Sequence, residues 1–185
     1  MLFRHVFCGT LGACLLGLTA VGCSSVDAPL VAPAPSGPVA EVLGVYFTPP
    51  AGAAAAIVKA IDASEHEVLV QAYGFTHHAI AQALVRAQQR GVTVQVLLDL
   101  KTSPSNRDVA HLLQAAHVPV REDGQHAIAH NKVMVIDEAV VITGSFNFTN
   151  SAETRNAENV LILKSLSLAH TYKVQWAQHW AHGRD

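Results

Sequence analysis

Residues 130–147 read HNKVMVIDEAVVITGSFN and predict the centre of the fold. Two apolar runs, KVMVI and AVVIT, are separated by an acidic dipeptide, which is a pattern typical of a β-hairpin. Strand alternation places His130 and Lys132 on one face, and it places Ser145 and Asn147 together in the same way. Because both pairs lie at similar distances from the turn, we expect the hairpin to bring them together.

The flanking sequence predicts alternating strands and helices. Strands are expected at residues 41–48, 68–73, 92–98, 118–120 and 157–163, and helices at 53–63, 77–90, 103–116 and 166–182, with N-caps at Thr76, Ser103 and Asn150. The first four strands alternate with helices, an order that predicts parallel strands joined by crossovers. The hairpin adds antiparallel strands. We therefore expect an α/β fold whose mixed parallel and antiparallel sheet carries helices on both faces.

Composition limits the class of protein. The chain has 185 residues, of which 50% are hydrophobic and 14% charged, so it fits one folded domain. Its formal net charge is −2, which leaves no basic excess to drive broad binding to nucleic acid. Neither a GxxxxGK[ST] nor a GxSxG motif occurs, which argues against a P-loop enzyme and an α/β-hydrolase.

The first 22 residues predict a signal peptide, because Arg4 precedes an uncharged and mostly apolar run. Residues 20–25, AVGCSS, resemble a bacterial lipobox, in which Cys23 would be lipidated and become the new N-terminus. Ordinary secretory cleavage near Gly22 is the alternative. Residues 23–40 are proline-rich and predict an extended tether to a catalytic domain at 41–185. We expect an exported, periplasmic protein that Cys23 anchors to the outer membrane.

The hairpin residues suit chemistry at phosphorus. An imidazole at position 130 can attack phosphorus or transfer a proton, while the ammonium of Lys132 neutralises phosphate oxygens. Ser145 and Asn147 offer hydroxyl and amide donors to the same oxygens, and Gly144 permits a close backbone approach.

Two acidic residues receive different interpretations. Glu158 begins the strand after the hairpin, and its carboxylate could accept the Nδ1 proton of His130. Asp137 lies seven residues after His130, on the opposite face and at the far end of the strand. We therefore expect Asp137 to accept backbone donors near the turn rather than to take part in the reaction.

The arrangement HxKxxxxDxxxxxxGSxN, which spans residues 130–147, resembles the signature of the phospholipase D superfamily. Its single copy resembles the bacterial Nuc-type endonuclease branch, and QAYGFT at 71–76 and AEN at 157–159 are similar to segments of that branch. The resemblance implies a phospholipase D/nuclease-like fold and a phosphohistidine formed on His130. It also implies no metal or other cofactor, and a homodimer in which a second copy supplies the other histidine.

Three functions stay open at this point. The first is a nonspecific nuclease acting on DNA or RNA, the second is a phospholipid phosphodiesterase, and the third is an inactive envelope lipoprotein with a binding role. Lys101 and Arg107 are candidate phosphate contacts, with a solvated loop as the alternative. The remaining histidines considered show no metal-ligand spacing with cysteines or carboxylates; they are His77, His78, His111, His117, His126, His170, His179 and His182.

Overall fold

The computed structural model describes residues 39–50 and 52–185 of the chain. The predicted signal peptide, the lipidation residue Cys23 and the predicted tether up to residue 38 lie outside the described residues. Within the described part, none of the helices combines the length and the apolar character needed to cross a lipid bilayer.

Seven strands and five α-helices form in the described residues. In chain order they are β1 (Glu41–Thr48), α1 (Ala53–Asp62), β2 (Glu67–Ala72), α2 (His78–Gln89), β3 (Thr93–Asp99), α3 (Ser103–Ala115), β4 (Val120–Asp123), β5 (Lys132–Ile136), β6 (Val140–Gly144), α4 (Asn150–Thr154), β7 (Glu158–Lys164) and α5 (Leu166–His182). A 3₁₀ turn at Leu100–Thr102 leads from β3 into α3.

The strands form a single mixed sheet in the order β1-β7-β6-β5-β2-β3-β4. Strands β2, β3 and β4 are parallel, and all the other neighbours are antiparallel. The predicted hairpin is β5 and β6, in which Val133 pairs with Thr143 and Ile136 with Val140. The expected mixed sheet is confirmed.

β1 runs in the same direction as β2, as expected for strands joined by a crossover, but it is not the neighbour of β2 in the sheet. This strand lies at the far edge of the sheet and pairs antiparallel with β7. About half or more of the surface of three apolar side chains in β1 is exposed, namely Val42, Val45 and Phe47. In contrast, β2 is buried on both faces. A strand with exposed apolar side chains and one open edge does not suit an interior position, where neighbours cover both faces.

Helices cover both faces of the sheet, as expected. On one face, Ile57 of α1, Leu84 of α2 and Leu113 of α3 belong to the larger buried apolar cluster. On the other face, Trp176 of α5 packs in a smaller cluster with side chains of β2, β5 and β6. The indole N–H of Trp176 donates to the Val70 carbonyl at 2.9 Å, so this large ring is buried with its polar group satisfied.

The predicted N-caps are wrong in detail. The Thr149 hydroxyl, rather than Asn150, caps α4 by accepting the Ala152 N–H at 3.1 Å. The N-cap position of α2 is His77 instead of Thr76, and that of α3 is Thr102 instead of Ser103.

The predicted strand at 118–120 begins later, at Val120. The Val118 N–H bonds back to Leu113 at the end of α3, and Pro119 has no N–H to donate. Neither residue can therefore donate to a sheet ladder, and β4 starts after them.

Candidate active site

The carboxyl ends of β2 and β6 and the amino ends of β5 and β7 meet at one end of the sheet, because neighbouring strands in this part run antiparallel. This topology brings together the turn after β2, the residues before β5, the segment after β6 and the first residue of β7. All the polar positions that the sequence singled out lie there, with the exception of Asp137.

Tyr73, which follows β2, has an aromatic ring that both His130 and Lys132 approach. The ring of His130 lies edge-on to the ring of Tyr73, with 4.6 Å between the centroids. The Lys132 Nζ lies 5.2 Å from the same Tyr73 centroid and donates to the carbonyl of His130 at 2.8 Å. Both side chains therefore reach one aromatic platform, as expected for residues that share a face.

Burial separates these two side chains. His130 is exposed, which suits the expectation that it reaches substrate, whereas Lys132 is 8% exposed. Burial lowers the pKa of the Lys132 ammonium, and the negative charge of Glu158 opposes that effect. A partly desolvated ammonium acts more strongly on a phosphate oxygen than one surrounded by water.

Glu158 contacts different groups from those expected. Its Oε2 accepts the Ser145 hydroxyl at 2.6 Å, and its Oε1 accepts from Asn156 Nδ2 at 3.0 Å. The expected hydrogen bond from His130 to Glu158 is absent within the described chain, where each carboxylate oxygen accepts from another residue.

Ser145 is likewise engaged. Its hydroxyl proton is donated to Glu158, and its oxygen accepts from the backbone N–H of Asn159 at 3.1 Å and from Asn159 Nδ2 at 3.3 Å. The expectation that Ser145 donates directly to a phosphate does not fit this geometry. The hydroxyl instead joins β6 to β7 and fixes the carboxylate of Glu158.

Gly144 explains how β6 and β7 approach so closely. Its φ of +153° is unfavourable for other residues, and a Cβ built there would lie 2.1 Å from the Asn159 carbonyl oxygen. Gly144 therefore permits a close backbone approach, as expected, and the backbone that approaches it is that of Asn159 in β7.

Asn147 lies beside the turn that follows β2. Its Oδ1 accepts the Gly74 N–H at 3.4 Å, and its side chain packs against that glycine. With its oxygen accepting, the Nδ2 group is left to donate. Asn147 is thus the side chain after β6 that is placed to give a hydrogen bond to substrate.

Asp137 lies at the opposite end of β5. Its carboxylate accepts the backbone N–H groups of Glu65, His66 and Glu67 at 3.0, 2.8 and 2.8 Å. Burial opposes ionisation, but the backbone donors outweigh it and hold the pKa of Asp137 below its ordinary value. This geometry is that of the expected structural acceptor, because the carboxylate is bonded to the segment that leads into β2.

Sequence reasoning missed residues that support the site from α3. Thr102 Oγ1 and Asn106 Nδ2 both donate to the Tyr73 carbonyl, at 2.7 and 2.9 Å, and Asn106 Oδ1 accepts the Phe75 N–H at 2.8 Å. Asn106 lies on the same helical stripe as the buried Val109, which could have marked it as a buried polar residue with a partner to satisfy.

Asp99, at the end of β3, was also missed. It is fully buried, and its Oδ1 accepts the Ala129 N–H at 2.7 Å. Since Ala129 directly precedes His130, this carboxylate holds the loop that presents the exposed imidazole.

The interpretation that the remaining histidines lack carboxylate partners is wrong for three of them. His126, His179 and His182 gather around Asp123, which lies at the end of β4. The cluster joins a loop to the C-terminal helix. Asp123 and His126 are three residues apart, as are His179 and His182, but 56 residues separate Asp123 from His179, so the sequence shows two short pairs and not that they meet.

Comparisons with known proteins agree with this geometry. Residues 57–180 match the sequence profile of the family described as "Cardiolipin synthase, PLD-like domain". A protein named "Phospholipase D" from Rickettsia felis is 47% identical over 130 residues, which cover 70% of this chain and 65% of that relative. A protein named "Mitochondrial cardiolipin hydrolase" from Canis lupus familiaris is 31% identical over 149 residues, which cover 80% of this chain and 58% of the relative. The matched part is therefore less than two thirds of either relative.

A solved structure extends the match across a whole fold. The crystal structure of Nuc, a phospholipase D family member from Salmonella typhimurium, superposes with a TM-score of 0.76 at 34% identity. The match covers 80% of this chain and 98% of Nuc.

Proposed function

We propose a function for this chain, which belongs to the phospholipase D superfamily. It hydrolyses phosphodiester bonds through a covalent phosphohistidine formed on His130. The observation that carries the proposal is the joint placement of an exposed imidazole and a buried ammonium on the Tyr73 ring. Asn147 adds an amide donor at the same end of the sheet.

In the first step, a nitrogen of His130 forms a bond to phosphorus while one phosphorus–oxygen bond breaks. The leaving oxygen takes a proton from a second imidazole on the opposite side of phosphorus. Lys132 and the Asn147 amide stabilise the negative charge on the remaining oxygens. In the second step, the second imidazole removes a proton from water, and the water oxygen displaces the His130 nitrogen to release a phosphomonoester.

The second imidazole comes, in this proposal, from another copy of the chain. The site end of the sheet is open, because His130, Ser145 and Asn159 are all exposed. A twofold axis beside His130 would place two such rings on opposite sides of one phosphorus atom. The functional unit would then be a homodimer with one composite site.

Nucleic acid is the substrate that we propose first. Lys101 and Arg107 are exposed, and each directly follows or precedes a residue that holds the Tyr73 carbonyl in place. Basic residues next to the two side chains that hold Tyr73 would provide local positive charge that the negative net charge of the chain does not. The proposed enzyme is therefore a nonspecific nuclease acting on DNA or RNA.

A phospholipid is the second candidate substrate. Leu100 and Ile128 are 44% and 53% exposed, and Ile128 lies two residues before His130. Apolar side chains at this position suit contact with acyl chains, and the Rickettsia felis relative carries the name phospholipase D. The proposed export and the proposed anchor at Cys23 would place the enzyme at an envelope membrane.

The test compares the full-length protein with His130→Ala on plasmid DNA, single-stranded RNA and phospholipid vesicles, with and without excess EDTA. The matched control is His66→Ala, since His66 is exposed at the opposite end of the sheet, near Asp137. We expect wild type and His66→Ala to cleave DNA in both conditions and His130→Ala to cleave nothing. Cleavage of lipid alone selects the second candidate.

Failure to turn over any phosphodiester would refute the proposal and favour a binding lipoprotein. Trapping a phosphorylated wild-type protein that is absent from His130→Ala would establish the covalent step. Full activity of a monomer would refute the composite site.

A further inference from the structure

A histidine cluster lies outside the candidate active site, where the loop after β4 meets the end of α5. It consists of Asp123, His126, His179 and His182, and is called the histidine cluster below. One ligand atom from each residue can be chosen such that all four lie within 4.8 Å of one another. Three imidazoles and a carboxylate form a donor set that suits zinc.

Asp123 is the centre of the cluster, and its side chain is fully buried. The Oδ2 atom lies 2.8 Å from His126 Nδ1 and 3.2 Å from His179 Nδ1, while Oδ1 lies 3.7 Å from His182 Nδ1. Oδ1 also accepts the backbone N–H groups of Gln125 and His126. The carboxylate is thereby held in one orientation, with three rings around it.

Hydrogen bonds alone do not satisfy this arrangement. His182 Nδ1 is buried and has no hydrogen-bond partner among the described residues, and 3.7 Å is too long for a bond to Asp123. His179 Nδ1 lies near both Asp123 and Gln71 Nε2, and a single ring nitrogen cannot donate to the first while it accepts from the second.

A bound ion accounts for these separations. Ligands about 2.0–2.1 Å from a tetrahedral zinc lie about 3.3 Å from each other. Oδ2 of Asp123 lies 2.8 and 3.2 Å from the nitrogens of His126 and His179, and Oδ1 lies 3.7 Å from that of His182, so small movements would bring these atoms to that separation. A zinc ion would also use the lone pair that His182 leaves buried without a partner.

The surrounding structure holds the ligands in place before any ion binds. The backbones of Glu122 and Arg184 exchange two hydrogen bonds, of 2.7 and 3.0 Å, which fix the chain after α5 against β4. The far nitrogen of His179 lies 2.8 Å from Gln175 Nε2. When Nδ1 binds a metal this nitrogen carries a proton, and rotation of the Gln175 amide by 180° about its last bond would offer it the accepting oxygen.

We propose that the histidine cluster binds one zinc ion in a closed structural site with four protein ligands. The ion would join the C-terminal helix to residues 124–131, the loop that carries His130. It would act on the chemistry only by holding that loop, since all four coordination positions are filled by side chains. This inference stands independently of the proposed activity.

The first test is calorimetric titration of ZnCl₂ into chelator-treated full-length protein. We expect one zinc per chain in wild type, and binding at least about 10-fold weaker in His126→Ala and in His182→Ala, each of which lacks one ligand. The matched control is His170→Ala, because His170 is an exposed histidine on the same helix. Its zinc affinity should equal that of wild type.

The second test measures thermal unfolding with and without ZnCl₂. Zinc should raise the Tm of wild type and of His170→Ala, since a ligand that binds the folded state stabilises it. In His182→Ala the rise should be smaller at the same zinc concentration, because weaker binding stabilises less. The zinc-free Tm should stay close to that of wild type because the lost nitrogen makes no hydrogen bond.

Three results would overturn the inference. They are the absence of stoichiometric zinc in wild type, equal affinity in wild type and both ligand variants, and an equal loss of affinity in His170→Ala. If His182→Ala folds poorly, the same comparison with His126→Ala decides the question.

Discussion

Lys132 is expected to lower the stability of the fold and to assist the reaction, both because its ammonium is buried. Burial lowers the pKa of its ammonium, so the folded protein bears a desolvation cost at this position. In return, a positive charge is fixed against the His130 carbonyl and the Tyr73 ring, which the exposed imidazole of His130 also contacts.

Replacement of Lys132 by Met should therefore separate the two roles. Met keeps most of the buried volume and removes the charge, so we expect a loss of about 10²–10³-fold in kcat with an unchanged or higher Tm. Steady-state kinetics on the substrate that the wild type cleaves, together with thermal unfolding, measure both effects. A change confined to KM would contradict the assigned role.

We expect Asp137 to contribute to stability rather than to the reaction, because its carboxylate accepts backbone donors. Asp137→Asn replaces one of the two accepting oxygens by an NH₂ group, and should cost about 1–2 kcal/mol in the free energy of unfolding. Because the pKa of Asp137 is lowered in the folded state, its contribution is present above the unfolded value of about 3.9 and is lost as the pH falls below it.

Urea unfolding at neutral pH and near pH 3 checks this expectation. The difference between wild type and Asp137→Asn should be largest at neutral pH and should shrink in acid. A difference that grows in acid would have the wrong sign. The kcat of folded Asp137→Asn should match that of wild type.

At the scale of elements, the close pairing of β6 with β7 sets the geometry around Glu158. Gly144→Ala would force a Cβ against the Asn159 carbonyl, and β6 would have to move away from β7. We expect a loss of about 2–3 kcal/mol in stability, together with reduced activity because Ser145 would no longer reach Glu158.

Gly91→Ala is the matched control for that substitution. Gly91 also has a positive φ, of +90°, but a Cβ there would meet nothing within 4 Å. It should cost about 1–2 kcal/mol from backbone strain alone and leave kcat unchanged. Equal losses of activity in the two variants, measured per folded molecule, would rule out a specific role for the β6–β7 contact.

The sequence predicted correctly those features of the fold that depend on residues close together in the chain. The hairpin of β5 and β6, the alternation that joins His130 to Lys132, and the mixed sheet followed from short-range patterns. Contacts between distant segments did not, because no local pattern encodes them. The edge position of β1, the bond from Ser145 to Glu158 and the support of Tyr73 by α3 all depend on which strands and helices become neighbours.

The histidine cluster illustrates the same limit. His126 lies in a loop, and His179 and His182 lie one turn apart on α5, so only the folded chain reveals that they share Asp123. The three-residue spacings of Asp123 to His126 and of His179 to His182 were the signals available in the sequence, and the meeting of the two pairs required the tertiary structure.

At the scale of the whole molecule, the proposed composite site is active only when both subunits of a dimer supply His130. If wild type is denatured and refolded with an equal amount of His130→Ala, random pairing leaves about a quarter of the dimers with both imidazoles. We therefore expect about half the activity that the same amount of wild type shows alone. Refolding with His66→Ala should cause no such loss, and sedimentation should report a dimer.

Asp137 and His130 belong to one sequence signature, yet they lie at opposite ends of β5. A search for the sequence signature therefore groups Asp137, whose expected role is in folding, with His130, whose proposed role is in the reaction. In a crude extract, an Asp137 variant would look catalytically dead merely because fewer molecules survive intact. Only normalisation to the folded fraction distinguishes an inactive enzyme from a scarce one.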